Sequence, residues 1–488
     1  MRRPLLSTAI ILFAAVATRM VTFGNPIVVV DDQFYLLVGD AMRHGAWPYI
    51  DIWDRKPIGL FLLFAGIAEI GAGSILVMQV VATLFAAATA VIIQRIARLF
   101  VADEPALFAA LTYLVTIPLL GGQSGQSPVF YNLLVAGAGW LLLSSAVRPD
   151  AALYRNAVAA MLLCGLAMSI KPVALVEGAA FGLAFLWLLL RRGASHRNVA
   201  LAGAAMVTIA LLPVVLPYVA YALAGDHARD AFFYANFISI FQKSGLGLTA
   251  KLAGVGFFLL FSLPLLVLAS IGVRRCLARW RHDDAPRLLL LWLGASVLGY
   301  LAVPHFFDHY ALPMVVPLSV AAGIAYAHPS GRLYAAGLLL FCLIQGAIVD
   351  LSGNRATRAE FDRLTARIDT ARRGGCLYLA AGPTWLYQST KACRLTPYLF
   401  PDHLNLIVER NAVGVDPGRE LTRIFARRPA VVVTRDSEQR KHSPATQRIL
   451  LEALARDYRT VYRVPDDGPP MLATLRIWQR RELASAAP

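Results

Sequence analysis

The chain has 488 residues, of which 58% are hydrophobic and only 16% charged, with a mean hydropathy of +0.59. No soluble core absorbs so large an apolar share, so composition excludes an ordinary soluble protein and describes a polytopic membrane protein. The formal net charge of +16 does not point to nucleic acid, because basic residues of membrane proteins collect in the short cytoplasmic loops.

Spanning helices need about 20 mostly apolar residues each. Such runs are expected near 5–24, 74–94, 105–120, 128–146, 157–172, 173–190, 198–223, 252–272, 287–303, 310–327 and 331–350, about eleven in all. With the N-terminus inside, the cytoplasmic segments hold Arg2, Arg3, Arg95, Arg98, Arg148, Arg155, Arg191, Arg192, Arg197, the cluster Arg274 to Arg287, and Arg332. This alternation requires that the apolar piece from Ile58 to Ile70 does not cross, and it is short for a span; it is expected to lie at the outer membrane face. The opening "MRRPLLSTAIILFAAVATRM" has the basic start and apolar stretch of a secretory signal. Ten further spans favour an uncleaved helix, with Arg19 snorkelling outward.

Beyond residue 350 the pattern changes to Arg-rich amphipathic stretches. "NRATRAEFDRLTARIDTARRGG", "GRELTRIFARRP" and "ATQRILLEALARDY" read as helices, and "CLYLAAG", "AVVVTRD" and "MLATLRIW" as strands. The expected fold class is a polytopic α-helical membrane protein with a small C-terminal α/β extracytoplasmic domain. Its division is 1–350, carrying a large first outer loop at 25–73, and 351–488. The C-terminal part supplies roughly half of the net charge, which would favour anionic headgroups or an anionic acceptor as readily as it would form a solvated basic face. Cys164, Cys276 and Cys342 fall in or beside spans and read as packing residues, whereas Cys376 and Cys393 lie where an oxidising compartment permits a bridge.

The densest chemistry lies in the first outer loop, "VVVDDQFYLLVGDAMRHGAWPYIDIWDRKPIG". Asp31 and Asp32 follow an apolar run immediately, and ionisable groups close to the membrane core are functional by default. Tyr35, Tyr49 and Trp53 interleave with Asp40, Asp51 and Asp54, a mixture suited to sugars: apolar faces for stacking and acceptors for hydroxyls. Arg55 and Lys56 then bring two cations suited to a phosphate. An acid for a hydroxyl proton together with cations for a phosphate would suffice for glycosyl transfer from a lipid phosphate.

The order "DD..FY" followed by "G.WPY.D.WDRKP.G" resembles the first outer loop of the polytopic GT-C glycosyltransferases, specifically the bacterial family 39-like group related to aminoarabinose and protein O-mannosyl transferases. The resemblance implies a polyprenyl-phosphate sugar as donor, a catalytic aspartate at Asp31 with Asp32 beside it, and an acid-plus-lysine element at Asp54, Lys56 and Pro57. There Ile58 replaces a second proline and Arg55 is interposed. "GLAMSIKPVAL" is similar to the family's glycine-rich helix ending in a phosphate-binding lysine, which implies Lys171. "VPHFFDHYALPMVVPL" is similar to its late outer loop and implies Tyr310, with His305 and His309 nearby. Arg55 is a third candidate for the donor phosphate. Relatives differ in metal use, so a divalent cation held by Asp31 and Asp54 stays open. The second outer loop, "GGQSGQSPVFYN", has no acid where many relatives carry one, and the elements typical of eukaryotic protein mannosyltransferases are absent.

The implied reaction is inverting transfer of a sugar to a lipopolysaccharide, glycolipid or cell-surface polysaccharide, at the periplasmic face of a bacterial inner membrane. The alternative is a flippase of lipid-linked sugars. Transporters of that kind place their site at mid-membrane within broken helices or inverted repeats, and the sequence reading finds neither a repeat nor an acid in mid-span.

Overall fold

The computed structural model of the chain describes residues 2–485 apart from 72, 149–151, 246, 304, 346–348 and 437–441, and describes no side chain at 2–4, 484 or 485. In hydrocarbon no water meets the backbone polar groups, so an apolar run crosses only as a helix that satisfies them internally. The chain opens with α1 (Arg2–Ala17), then the shorter α2 (Val30–Arg43) and α3 (Ile58–Gly71). A long series follows: α4 (Ile75–Ala97), α5 (Asp103–Thr116), α6 (Ser127–Val147), α7 (Leu153–Ile170), α8 (Ala174–Arg191) and α9 (His196–Leu223). After α10 (Asp226–Phe233), a π-turn and α11 (Ser239–Gln242), the series resumes with α12 (Leu248–Arg279), α13 (Asp284–Ala302), α14 (Leu312–Tyr326) and α15 (Pro329–Ile344).

Among the described residues, ten of these helices are long and apolar enough to cross a membrane, counting the 3-10 turns that extend α1 and α5 and the one that precedes α14. The eleventh expected span, 331–350, is α15, which has 16 residues. At 1.5 Å per residue it covers about 24 Å against a hydrocarbon thickness of about 30 Å.

The C-terminal part contains α16 (Leu351–Arg372), β1 (Leu377–Leu379), α17 (Trp385–Ser389), α18 (Pro401–Asn405), α19 (Pro417–Ala426), β2 (Val431–Arg435), α20 (Pro444–Asp457), β3 (Tyr458–Arg463), β4 (Leu475–Arg480) and α21 (Arg481–Ser485). The sheet order is β1-β2-β4-β3. β1 and β2 are parallel, joined through α17 to α19, and the other pairs are antiparallel. Val432, Tyr378, Leu421, Ile424, Leu450 and Leu454 form its core. β3 is absent from the sequence reading because it is an edge strand whose residues after Tyr458 are mostly exposed, so no apolar run marks it. Cys376 and Cys393 are joined by a disulfide with Cα atoms 4.6 Å apart, while Cys164, Cys276 and Cys342 are buried thiols.

The chain separates into two compact units: Met1–Phe23, Gln79–Pro217 and Leu246–Asp350, and Gly24–Met78, Tyr218–Gly245 and Leu351–Pro488. The division expected at residue 350 put the first outer loop with the spans; here that loop and the 218–245 segment pack with the C-terminal residues instead. The physical reason is a set of specific contacts. Gln33 accepts the Trp385 backbone N–H at 3.0 Å, Gln388 donates to Asp40 at 2.7 Å, and the Trp53 N–H reaches the Pro397 carbonyl at 3.0 Å.

The second unit is built from three segments, which follow one (α1), seven (with α4 to α9) and ten (with α12 to α14) of the span-length helices. If all three are to share one membrane face, these counts must agree in parity, which requires α15 to cross as an eleventh span and α3 not to cross. The α3 rings of Phe61 and Phe64 stand edge-on to Tyr35 of α2 at 6.4 and 5.4 Å.

A cysteine placed at the exposed positions Asp51, Asp226 or Glu452 should therefore react with an impermeant maleimide from one membrane face, and one at Arg197 or Arg281 from the other. Labelling of Glu452→Cys together with the second set would show that α15 does not cross.

Candidate active site

Asp31 and Asp32 occupy the first turn of α2, where the unpaired N–H groups and helix dipole favour negative charge. The two differ in environment: Asp32 is 1% exposed, whereas Asp31 is half-buried. The helix is held on its other faces. A Cβ at Gly39 would come 2.5 Å from the Phe64 carbonyl carbon, so only glycine lets α2 and α3 approach so closely. Arg43 adds a 3.1 Å ion pair to Asp40.

From residue 47 to 57 the loop turns sharply. Tyr49 has φ of +72°, a left-handed conformation costly for a bulky residue, and its N–H bonds the Ile52 carbonyl at 2.7 Å. Packing holds it there: its ring meets Phe61, Tyr221 and Phe232 edge-on or tilted, and its hydroxyl donates to the Lys56 carbonyl at 2.8 Å. Trp53 is likewise enclosed, 4.7 Å from the His403 ring and 5.6 Å from Tyr398. The stacking faces expected of Tyr49 and Trp53 are thus spent on packing, with 4% of each residue exposed. Tyr35, 1% exposed, packs on Phe61 and Phe64.

The cations of the loop diverge. Arg55 forks onto Glu409, with Nη1 2.9 Å from Oε1 and Nη2 donating to Oε2, and its Nε donates to Ser239 Oγ at 3.1 Å. Lys243 reaches the same carboxylate at 2.8 Å. Arg55 is therefore committed to a buried ion pair rather than presented to an anion, a correction to its reading as a phosphate ligand. Burial pushes the Glu409 carboxyl up, but the hydrogen bond and charge of Arg55 together with Lys243 outweigh it and hold the group at about 2. Lys56 goes elsewhere, with Nζ 3.8 Å from Asp54 Oδ1 and 5.6 Å from the centre of the Tyr35 ring, and its side chain stays 23% exposed.

In the other unit, Lys171 is the extended residue that ends α7. Its Nζ lies 4.7 Å over the Tyr310 ring, so two pieces that the sequence placed far apart meet. His305, Phe307 and His309 stack at 6.0 and 5.9 Å, and His309 stands edge-on to Tyr310 at 4.6 Å. Asp308 joins this loop, 3.3 Å from His309 Nδ1.

One expectation fails in this unit. Arg19 does not snorkel: it is fully buried and donates to Thr83 Oγ1 at 3.2 Å, to the Ser124 carbonyl at 2.7 Å and to the Gly122 carbonyl. Carbonyls of the acid-free second loop meet the guanidinium where solvent was expected. One buried acid stands at the end of a span, in the first turn of α8. Glu177 in α8 is 3% exposed and accepts from Trp292 Nε1 at 2.7 Å; its signal, a lone Glu within "VALVEGAAF", was legible. Glu409 in "NLIVERN" and His403 were missed because only long-range packing gives them a role.

A divalent cation finds little support in these residues. Among the described residues no three His, Cys, Asp or Glu side chains group as metal ligands, and Asp54 is already engaged by the Arg55 backbone N–H and by Lys56. No step below runs through a metal.

His403 gives the second unit a pH dependence. Burial, the larger influence, lowers its pKa to about 4 despite the nearby Asp54 carboxylate. A histidine neutral when folded but free to protonate when unfolded leaves stability intact above the ordinary pKa of about 6.5, and stability falls as pH drops from there towards 4. The slope is at most about 1.4 kcal/mol per pH unit. His403→Phe, which keeps a ring among Phe34, Trp53 and Phe400, should remove that slope in thermal unfolding between pH 6.5 and 4; an unchanged slope would assign it to other groups.

Comparison with solved structures places this fold among known ones. The chain superposes on ArnT from Cupriavidus metallidurans, crystallised with undecaprenyl phosphate bound, with a TM-score of 0.66, 14% identity and coverage of 97% of both chains. The apo crystal structure of the same protein gives 0.65 at 14% identity, over 99% of this chain and 98% of that one. The archaeal oligosaccharyltransferase AglB from Archaeoglobus fulgidus, in complex with an inhibitory peptide and a dolichol-phosphate, matches with a TM-score of 0.55 at 12% identity, over 89% of this chain and 69% of that one. No family model and no curated protein matches the sequence. The chain thus shares the overall fold of these solved structures.

Proposed function

We propose that the chain is an inverting glycosyltransferase that moves a sugar from a polyprenyl-phosphate donor to an extracytoplasmic acceptor: lipopolysaccharide, a glycolipid or a cell-surface polysaccharide. The observation that carries this reading is the likeness, over 97% of both chains, to ArnT with undecaprenyl phosphate bound. Because fold alone does not fix function, the residues must supply the chemistry, and the first loop holds a suitable set.

Asp31 is the base. Of the acidic pair it is the more accessible member, and it takes the proton of an acceptor hydroxyl as that oxygen bonds to the anomeric carbon. The bond from that carbon to the phosphate oxygen breaks, its electron pair leaves with the phosphate, and the anomeric configuration inverts. Asp32, buried beneath, orients α2. Lys56 is assigned to the departing phosphate, whose growing charge a nearby ammonium stabilises; for Lys171 the phosphate role rests on the resemblance of its segment alone. Their aromatic neighbours, Tyr35 and Tyr310, hold the ammonium groups by cation–π attraction. His305, His309 and Tyr310 are assigned to substrate, while Asp54 positions Lys56. A bacterial inner membrane with this chemistry at the periplasmic face is the setting that the basic loops favour.

Asp31→Asn keeps size and polarity but cannot accept the proton, so sugar transfer from a polyprenyl-phosphate donor should fall at least about a hundredfold with normal membrane insertion. Near-normal turnover would pass the role to Asp32.

Lys171 separates a phosphate ligand from an interfacial anchor. Lys171→Gln should lower turnover by about tenfold or more if the ammonium stabilises the leaving phosphate, whereas an anchor would tolerate the exchange at full rate.

A flippase of lipid-linked sugars is the second reading, favoured by Glu177, since acids within spans mark substrate or proton paths. Purified protein that moves the donor across vesicles without transferring its sugar would establish it.

A further inference from the structure

We infer that Glu409 is the positioning residue of the first-loop lysine: by holding Arg55 it fixes the bend at 53–57 from which Lys56 is presented to the donor phosphate. The inference rests on the reading of Lys56 given above. Glu409 is 354 residues from Arg55 in sequence, and it gathers Lys243 from a third segment. Ser239 closes the arrangement, accepting from Arg55 Nε and donating to the Ala412 carbonyl. The side chains of Arg55 and Glu409 are 10% and 4% exposed.

So many buried charges add little net stability. Apolar side chains of equal volume often serve as well or better, whereas one uncompensated charge costs several kcal/mol. Such a cluster therefore enforces a geometry, and the bend shows which. Trp53 and Arg55 are drawn to the C-terminal residues, Trp53 by its N–H on Pro397 and its ring on His403, Arg55 by Glu409. The Arg55 guanidinium also lies over the Trp53 ring at 5.4 Å, which ties the two anchors together. Lys56, next along, turns to Asp54 and to the Tyr35 ring on α2. If Arg55 were released, the bend would lose the anchor that separates the two cations, and Lys56 would no longer be held beside α2.

The test is a cycle on binding of polyprenyl phosphate to the purified full chain in detergent, with hydrogen exchange of residues 49–57 measured alongside. Lys56→Ala and Glu409→Gln should each weaken binding about tenfold, and the double variant should be little weaker than either, because both disable one ammonium. Exchange at 49–57 should rise at least about tenfold in Glu409→Gln while β1 and β2 keep their protection. Losses that multiply to about a hundredfold would mean that Glu409 acts apart from Lys56, and would overturn the inference. So would unchanged exchange in the bend. Full-strength binding by Lys56→Ala with faster exchange in Glu409→Gln would instead sink the phosphate role of Lys56 while leaving Glu409 as the anchor. Should Glu409→Gln not fold, Glu409→Asp, which keeps the charge, and Ser239→Ala, which removes the bonds to Arg55 Nε and to the Ala412 carbonyl but leaves the Arg55–Glu409 fork, are expected to show the same coupling at severalfold rather than tenfold size; additive losses there would equally overturn it.

Discussion

A carboxylate stays ionised away from water only if cations come to it, and Glu409 collects two. Because Arg55 and Lys243 lie on two other segments far from it in sequence, satisfying that one charge obliges the first loop and the 239–243 segment to assemble with the C-terminal residues. Trp53, Tyr398, Phe34, Phe400 and His403 pack ring on ring, and the Arg55 guanidinium lies over the first of them. Their burial supplies the apolar stabilisation that an ion pair by itself does not.

The membrane unit solves the same problem differently. Arg19 is fully buried, and carbonyl oxygens of the second loop and the Thr83 hydroxyl satisfy its donors. Five planar donors with a delocalised charge suit a guanidinium to such a cage better than an ammonium. Glu177 relies on the Trp292 indole N–H. Both groups are costly to bury, and both lie close in sequence to the proposed chemistry: Arg19 follows α1 on the way to the loop of Asp31, and Glu177 is in the first turn of α8, which begins just after Lys171.

Aromatic residues beside acids signalled a sugar site in the sequence, but most of those rings in the first loop are closed inside the packing. Tyr49 and Trp53 contribute by fixing a strained turn. An aromatic ring is equally good at covering a sugar and at covering another ring, so residue type cannot separate the two uses.

Local chemistry was legible from the sequence. Apolar length set the spans, because hydrocarbon forces each run to be a helix; alternation of strands and helices marked the C-terminal sheet; and charges placed against an apolar background marked Asp31, Asp32 and Lys56 as candidates, whereas Lys171 was singled out only by the family resemblance. Even the acid of α8 was visible, though overlooked. The edge strand β3 left no apolar signature, and nothing near Glu409 in the chain announces a partner 354 residues away. Which loop joins which unit, that Arg55 is anchored while Lys56 is presented, and that Arg19 turns inward were decided by tertiary structure alone, because the energy of a buried charge depends on what surrounds it in space and not on its neighbours in sequence.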